Sequence, residues 1–297
     1  MQTKLLTVSI SVQLWALGVA LPPNAEALPV PQAAAQDQNG IATLPVLALD
    51  HHGTPVTYLK QHELELYEGK EEQSIESLRP SPATPIEVGF LVDISNSEGG
   101  ALRALRRLNA ADVAGEALRP GDFGFVAAFN QRVSLVCSAT TDVEEVAKAL
   151  REAFSIQPSG VTSLYDAIHW AVSSGAATRA SRKVLIVLSD MRDNASNDTR
   201  EEASVLAQRS GTVIYPIVLG ELTPGIERVT RSIADGTGGV YFTPMKLGDL
   251  SPAIRNIRTY LDNSYVLQYR PRSPGPVPIK IRCSRKGVKV VAPHHRY

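Results

Sequence analysis

Asp93-Ile94-Ser95-Asn96-Ser97 follows directly on an apolar stretch, Ile86–Val92, and gathers three oxygen-bearing side chains at alternate positions. Two more segments carry related chemistry, Gly160-Val161-Thr162 and Leu188-Ser189-Asp190. A hard dication such as Mg²⁺ or Mn²⁺ prefers oxygen ligands, and Asp93, Ser95, Ser97, Thr162 and Asp190 supply nothing else. The set holds only two formal negative charges, so a bound cation stays electrophilic toward an incoming carboxylate. That is the chemistry of a metal that grips a partner. Each residue taken singly also has a plainer role. Asp-x-Ser-x-Ser arises readily by composition, Ser95, Ser97 and Thr162 suit helix caps, and Asp93 and Asp190 suit solvated strand ends.

Position is what joins these residues. Ile86–Val92, Phe123–Phe129, Val184–Leu188 and Val213–Leu219 are nearly continuous apolar runs, the pattern of strands covered on both faces. Helical stretches are expected between and after them, over Ala101–Leu118, Val143–Phe154, Leu164–Ser173 and Thr199–Arg209. Leu164, Ala167, Ile168, Ala171 and Val172 fall at the spacing of one buried helix face. Ser251-Pro252 is expected to open a last helix, as a cap and a first-position proline, with Ile254, Ile257 and Leu261 as its inner stripe. Residues 86–262 thus read as a doubly wound α/β domain on a mostly parallel, Rossmann-like sheet. Ligands of such sheets bind beyond the carboxyl ends of the strands. Asp93 and Asp190 each follow a strand and Thr162 precedes a helix, so their three loops are expected to meet at one edge. Asp166 and Asp193 stand beside those loops, either as supports for the ligands or as exposed acids.

The flanks have β character. Residues 44–79 hold an apolar run Leu44–Leu49, a turn at Asp50-His51-His52-Gly53, an alternating strand Glu63–Glu68, and a further strand ending near Leu78. Arg79–Pro85, with three prolines, is the linker. Residues 263–297 hold Tyr265–Tyr269, a proline-rich turn at 271–278, and strands Ile279–Cys283 and Val288–Val291. Neither flank can bury a core alone, so the two are expected to pack together as a small β domain. Their charges are opposed, with ten acids and three bases over Asp50–Glu98 against ten bases and one acid over Arg255–Tyr297. Cys137 and Cys283 fall on the apolar register of alternating strands, which suits either a bridge in an exported chain or buried thiols. The His51-His52 and His294-His295 pairs sit in polar loop or tail sequence and read as surface residues.

Lys4, the mostly apolar Leu5–Leu21 and the small-x-small Ala25-Glu26-Ala27 form a signal peptide over residues 1–27. Pro22 and Pro23 make this segment a poor membrane span. Residues 28–43 are a proline- and alanine-rich lead-in, and no later stretch is expected to cross a bilayer. The mature chain is therefore expected outside the cytoplasm, secreted or held in the periplasm or cell envelope. Lys+Arg and Asp+Glu are equal at 30 each, which argues against nucleic acid as a main partner.

Together these residues resemble a von Willebrand factor type A domain, whose metal-ion-dependent adhesion site is built from Asp-x-Ser-x-Ser, a Thr and an Asp. The matching positions are Asp93, Ser95, Ser97, Thr162 and Asp190. Gly160-Val161-Thr162-Ser163-Leu164-Tyr165-Asp166-Ala167 is similar to the family's Gly-Gly-Thr-x-Leu-Tyr-Asp-Ala, and Thr237-Gly238-Gly239 to its Thr-Gly-Gly. Asp50-x-x-Gly53-x-Pro55-Val56 and Tyr265-x-Leu267-x-Tyr269 resemble the flanks of a bacterial exported subgroup. The resemblance implies that Ser95, Ser97 and Thr162 bind metal directly, and that Asp93 and Asp190 bind it directly or through water. Three positions depart from the pattern. Asn96 and Met191 stand where glycine is common, and Glu98 stands where methionine is common, bringing a carboxylate that competes with an external one.

The leading functional expectation is an exported, non-enzymatic adhesion module that engages an Asp or Glu carboxylate of a protein partner through Mg²⁺ or Mn²⁺. Two alternatives stand beside it. One is a metal-dependent hydrolase on a similar sheet, for which Arg192 is the nearby basic candidate. The other is a structural subunit with a degenerate metal site.

Overall fold

The fold is described from a computed structural model over residues 40–81, 84–174, 180, 182–243 and 250–297. The expected signal peptide and nearly all of the expected lead-in lie outside the described residues. The chain begins with β1 (Ala42–Leu49), β2 (Leu64–Glu68), β3 (Glu71–Gln73) and β4 (Ile75–Pro80). Where a single strand is expected to follow the Gly69 turn, two short strands form, and they join different sheets.

The central sheet contains β5 (Ile86–Asp93), β6 (Phe123–Phe129), β7 (Val133–Thr140), β8 (Arg182–Ser189) and β9 (Thr212–Val218), in the order β7-β6-β5-β8-β9. Neighbours pair in parallel except β7, which runs antiparallel along one edge. Helices cover both faces, so the expected doubly wound architecture holds. One face is packed by α1 (Gly99–Leu105), α2 (Ala110–Ala117) and α3 (Val143–Ser155), together with the last helix. The other is packed by α4 (Leu164–Ser174), α5 (Arg200–Ser210) and α6 (Pro224–Thr237). β5 serves both cores, with Val88, Phe90 and Val92 on the first and Leu91 on the second. Such a strand has no polar face, which is why its sequence shows no alternation.

Two helices depart from expectation. Ala101–Leu118 is not one helix. It breaks after Leu105, and α2 restarts behind Asn109, whose side chain accepts the Ala111 N–H. A local cap therefore outweighs the continuous apolar pattern. The unanticipated α6 is bounded by Thr223, which accepts from Ile226 N, by Pro224 in its first turn, and by Gly238 at φ +83°. Immediately beyond, a Cβ at Gly239 would lie 2.0 Å from the Ile214 carbonyl oxygen, so only glycine lets the chain pass β9. It then bridges β9 in parallel at Phe242.

The last helix, α7 (Leu250–Asp262), starts before Ser251 rather than at it. Pro252 therefore sits inside the first turn, where its missing N–H leaves no helix bond unmade. β10 (Tyr265–Tyr269), β11 (Val277–Cys283), β12 (Lys289–Val291) and β13 (His295–Arg296) follow. They interleave with the first strands as two four-stranded sheets, β12-β1-β10-β4 and β13-β11-β2-β3. Leu44, Val46, Leu66, Leu267, Tyr269 and Ile279 meet between them. Among the described residues four ion pairs join the acidic and basic ends: Glu63–Arg285, Glu68–Arg296, Glu71–Arg272 and Glu76–Arg270. Cys137 on β7 and Cys283 on β11 are both free thiols. Among the described residues no helix is long and apolar enough to cross a membrane.

Candidate metal centre

Strand order explains why the site residues gather. From β5 the chain runs out to β6 and β7 on one side, then crosses back to β8 and β9 on the other, so its direction switches at the β5–β8 junction. The loops leaving these two strands diverge and open a crevice there. Asp93 is the last residue of β5, and Asp190 is the first after β8.

Asp93 is fully buried and held from both sides. Its Oδ1 accepts the Ser95 N–H at 2.9 Å and its Oδ2 accepts the Ser189 hydroxyl at 2.6 Å. Burial raises its pKa above the usual carboxylate range, against the pull of these hydrogen bonds. The chain then enters a 3-10 turn, Asn96–Glu98, which brings Ser95 Oγ within 3.2 Å of Ser97 Oγ. Neither helix that follows has a side-chain cap bond from these residues: Ser95 heads the 3-10 turn and Glu98 heads α1, both without one.

The same turn swings Glu98 inward. It is 1% exposed, and its Oε1 accepts the Asp190 N–H at 2.6 Å. Oxygens of Asp93, Glu98 and Asp190 lie within 4.8 Å of one another. Burial, then the charges of Asp93 and Asp190, push the Glu98 pKa up to about 8. Asp190 is only partly covered, and its Oδ2 is 3.9 Å from Arg192 Nε. Among the described residues no ion pair joins a base to Asp93 or Glu98.

Thr162 reaches the same edge through its backbone neighbours. Asn96 N donates to the Gly160 carbonyl at 3.1 Å and Ser159 N to the Ile94 carbonyl at 2.9 Å, which ties this loop to the serine loop. Thr162 N donates to Asn194 Oδ1, and its carbonyl accepts from Asn194 N and Ala195 N, which ties it to the loop after β8. Thr162 itself is buried. Asp193 and Asp166 hold this arrangement together. Asp193 Oδ1 accepts the Leu164 N–H and the Ser196 hydroxyl, while Asp166 accepts the N–H groups of Asn197 and Asp198. The first turn of α4 is thus capped from another loop, since Ser196 Oγ also accepts from Tyr165 N.

Two participants carry weak sequence signals. Ser189 ends an apolar strand, where a buried hydroxyl is uncommon, and its Oγ serves both Asp93 and Met191 N. Glu98 was visible only as a departure from the motif, and its inward course depends on the 3-10 turn.

The donor set suits a hard dication. Two charges 4.8 Å apart, the widest separation among these oxygens, repel by about 3–4 kcal/mol at an effective dielectric near 20. Summed over three charged acids, this is comparable to the whole stability of a typical domain, about 5–15 kcal/mol. The cluster therefore needs a cation or retained protons. Asp93 and Asp190, with the Ser95, Ser97 and Thr162 hydroxyls, are the residues that would hold the cation.

The crevice is built on a doubly wound α/β fold, and solved structures described as von Willebrand factor type A domains are among those it is similar to. No family model matches the sequence, and no curated protein does. Among solved structures, proximal thread matrix protein 1 from the mussel byssus is similar with a TM-score of 0.50 at 18% identity, over 65% of this chain and 50% of that one. A second structure of the mussel protein, with a zinc-occupied MIDAS motif, gives a TM-score of 0.49 at 18% identity over 67% of this chain and 50% of that one. A von Willebrand factor type A structure from Catenulispora acidiphila gives a TM-score of 0.49 at 14% identity over 86% of this chain and 73% of that one. At these identities the likeness concerns the fold.

Proposed function

We propose that this protein is an exported, non-enzymatic binding module that holds one Mg²⁺ or Mn²⁺ at Asp93, Ser95, Ser97, Thr162 and Asp190 and uses it to engage an acidic residue of a protein partner. The observation that carries this reading is the convergence of buried carboxylates beside the paired serine hydroxyls at the β5–β8 switch point. An all-oxygen set favours magnesium or manganese over softer ions. The polypeptide divides into a signal peptide (1–27), a lead-in (28–43), the α/β domain (86–262), and a flanking β unit from 44–79 and 263–297. The antiparallel pairing of β1 with β10 and of β2 with β11 supports that division. Titration calorimetry of the mature protein tests the site. One weakly bound cation is expected, and Asp93→Ala should lose it while keeping a cooperative thermal transition. Equal metal uptake by wild type and Asp93→Ala would sink the reading, and turnover of phosphate or carboxylate esters would favour a hydrolase instead.

A further inference from the structure

The proposed ligand set leaves one buried acid without a task. Glu98 is almost fully enclosed, although glutamate is rarely so without a partner. It packs against two other acids instead of a base. Among the described residues its carboxylate accepts one hydrogen bond, from the Asp190 N–H to a single oxygen, which fixes the group in the crevice. The Asn96–Glu98 turn anchors it from behind, since Glu98 N donates to the Ser95 carbonyl at 3.0 Å. Glu98 is thus tied to both loops that carry the candidate ligands.

We propose that Glu98 is a resident ligand of the metal, occupying the coordination position that an outside carboxylate would otherwise take. This rests on the metal site proposed above and adds its regulation. Charge counting gives the consequence. With Asp93 and Asp190 alone, a dication leaves the site neutral. With Glu98 as well, the metal and its three carboxylates carry a net charge of −1, which the half-exposed Arg192 at 3.9 Å from Asp190 offsets only in part, and an incoming carboxylate meets repulsion. A partner must therefore displace Glu98, and displacement must also release its bond to Asp190 N. The resting protein is self-liganded, holding its metal more firmly and outside acids less firmly than the two-aspartate set would.

Mn²⁺ serves as the probe, followed by electron paramagnetic resonance of the free ion and by water-proton relaxation, which counts waters on the bound ion. Wild type, Asp93→Ala, Glu98→Ala and Glu98→Gln are compared, with acetate as the external carboxylate. Glu98→Gln keeps the volume and an acceptor for Asp190 N, so it guards against a folding defect. Wild type should bind Mn²⁺ and Asp93→Ala should not. Both Glu98 variants should bind about tenfold or more weakly, because the site loses a charged ligand. Glu98→Ala should gain a bound water, and acetate should strengthen its Mn²⁺ binding while leaving wild type unchanged. If both Glu98 variants keep wild-type affinity and water count, Glu98 is a bystander and this proposal falls while the metal site stands. If wild type binds no more Mn²⁺ than Asp93→Ala, the site itself falls and takes this proposal with it.

Discussion

Two buried residues at the centre carry opposing costs that can be measured separately. Glu98 prefers its proton in the folded protein, with a pKa near 8 against an ordinary 4.5. A folded pKa above the unfolded one means that the native state binds the proton more tightly. The stabilisation is therefore complete below about pH 4.5 and is lost as pH rises through about 8. In a chelator, the melting temperature should fall across that window, Glu98→Gln should flatten the dependence, and added Mn²⁺ should restore stability at the alkaline end. A chelated wild type whose pH dependence matches that of Glu98→Gln would contradict this. Met191 shows the second balance. It is the only non-glycine with positive φ among the described residues, at +62°, yet its side chain is buried in the core under α4 and α5. The left-handed backbone costs about 1–2 kcal/mol, whereas emptying a buried methionine site costs about 2–5 kcal/mol. Packing wins, so Met191→Gly should destabilise the protein by about 1–3 kcal/mol in chemical denaturation, although glycine is the residue the motif resemblance favours.

Loops and helices are where the sequence was least complete as a guide. Asp93, Ser95, Ser97, Thr162 and Asp190 were legible because each is a polar residue beside an apolar strand or helix, and parallel sheets gather such positions at one edge. Glu98 was legible as a chemical anomaly only, because its direction is set by a 3-10 turn with no periodic signature. α6 is marked by Thr223, Pro224 and Gly238 more than by its hydrophobic pattern, and the break between α1 and α2 depends on one asparagine cap. Gly160 shows how an element constrains the site. It has φ +78°, and a Cβ there would overlap the Gln131 side chain. Gln131 is exposed and can swing aside, at the cost of its Oε1 bond to Val161 N. The backbone is the harder constraint, at about 1–2 kcal/mol for a left-handed alanine. Gly160→Ala should thus cost roughly that stability and also weaken Mn²⁺ binding, because Gly160 O receives Asn96 N in the serine loop. Unchanged calorimetric affinity in the variant would show that this loop does not set the site.

At the scale of the molecule, the flanking strands and the metal crevice sit at opposite ends of the central sheet. β4 leads into the start of β5, Ser81 N donates to the Ser264 carbonyl, and Arg182, the first residue of β8, donates to the Leu261 carbonyl and Ser264 Oγ. Asp122, just before β6, pairs with Arg258 of α7 and accepts Ile86 N. The last helix therefore ends, and the flanking sheets attach, at the amino ends of the strands, whereas Asp93 and Asp190 lie at the carboxyl ends. Inside the flanking unit, Glu68 is buried with Arg296, whose Nε donates to Glu68 Oε1 and to the Tyr269 hydroxyl. Removing the cation from such a pair leaves an uncompensated buried charge, at about 3–5 kcal/mol. Arg296→Met should lower stability by about that amount, and deleting 279–297, which removes most of β11 from beside β2 and all of β12 from beside β1, should open strands β1–β4 to protease. Both variants should nevertheless bind Mn²⁺ within a few-fold of wild type, provided the α/β domain stays folded, because no site residue contacts the flanking sheets among the bonds described. Limited proteolysis that leaves residues 44–79 as resistant in the truncated chain as in the full one would disprove the dependence of the two flanks on each other. Loss of Mn²⁺ binding in Arg296→Met, at a temperature where the α/β domain remains folded by circular dichroism, would instead show that the two ends of the sheet are energetically coupled.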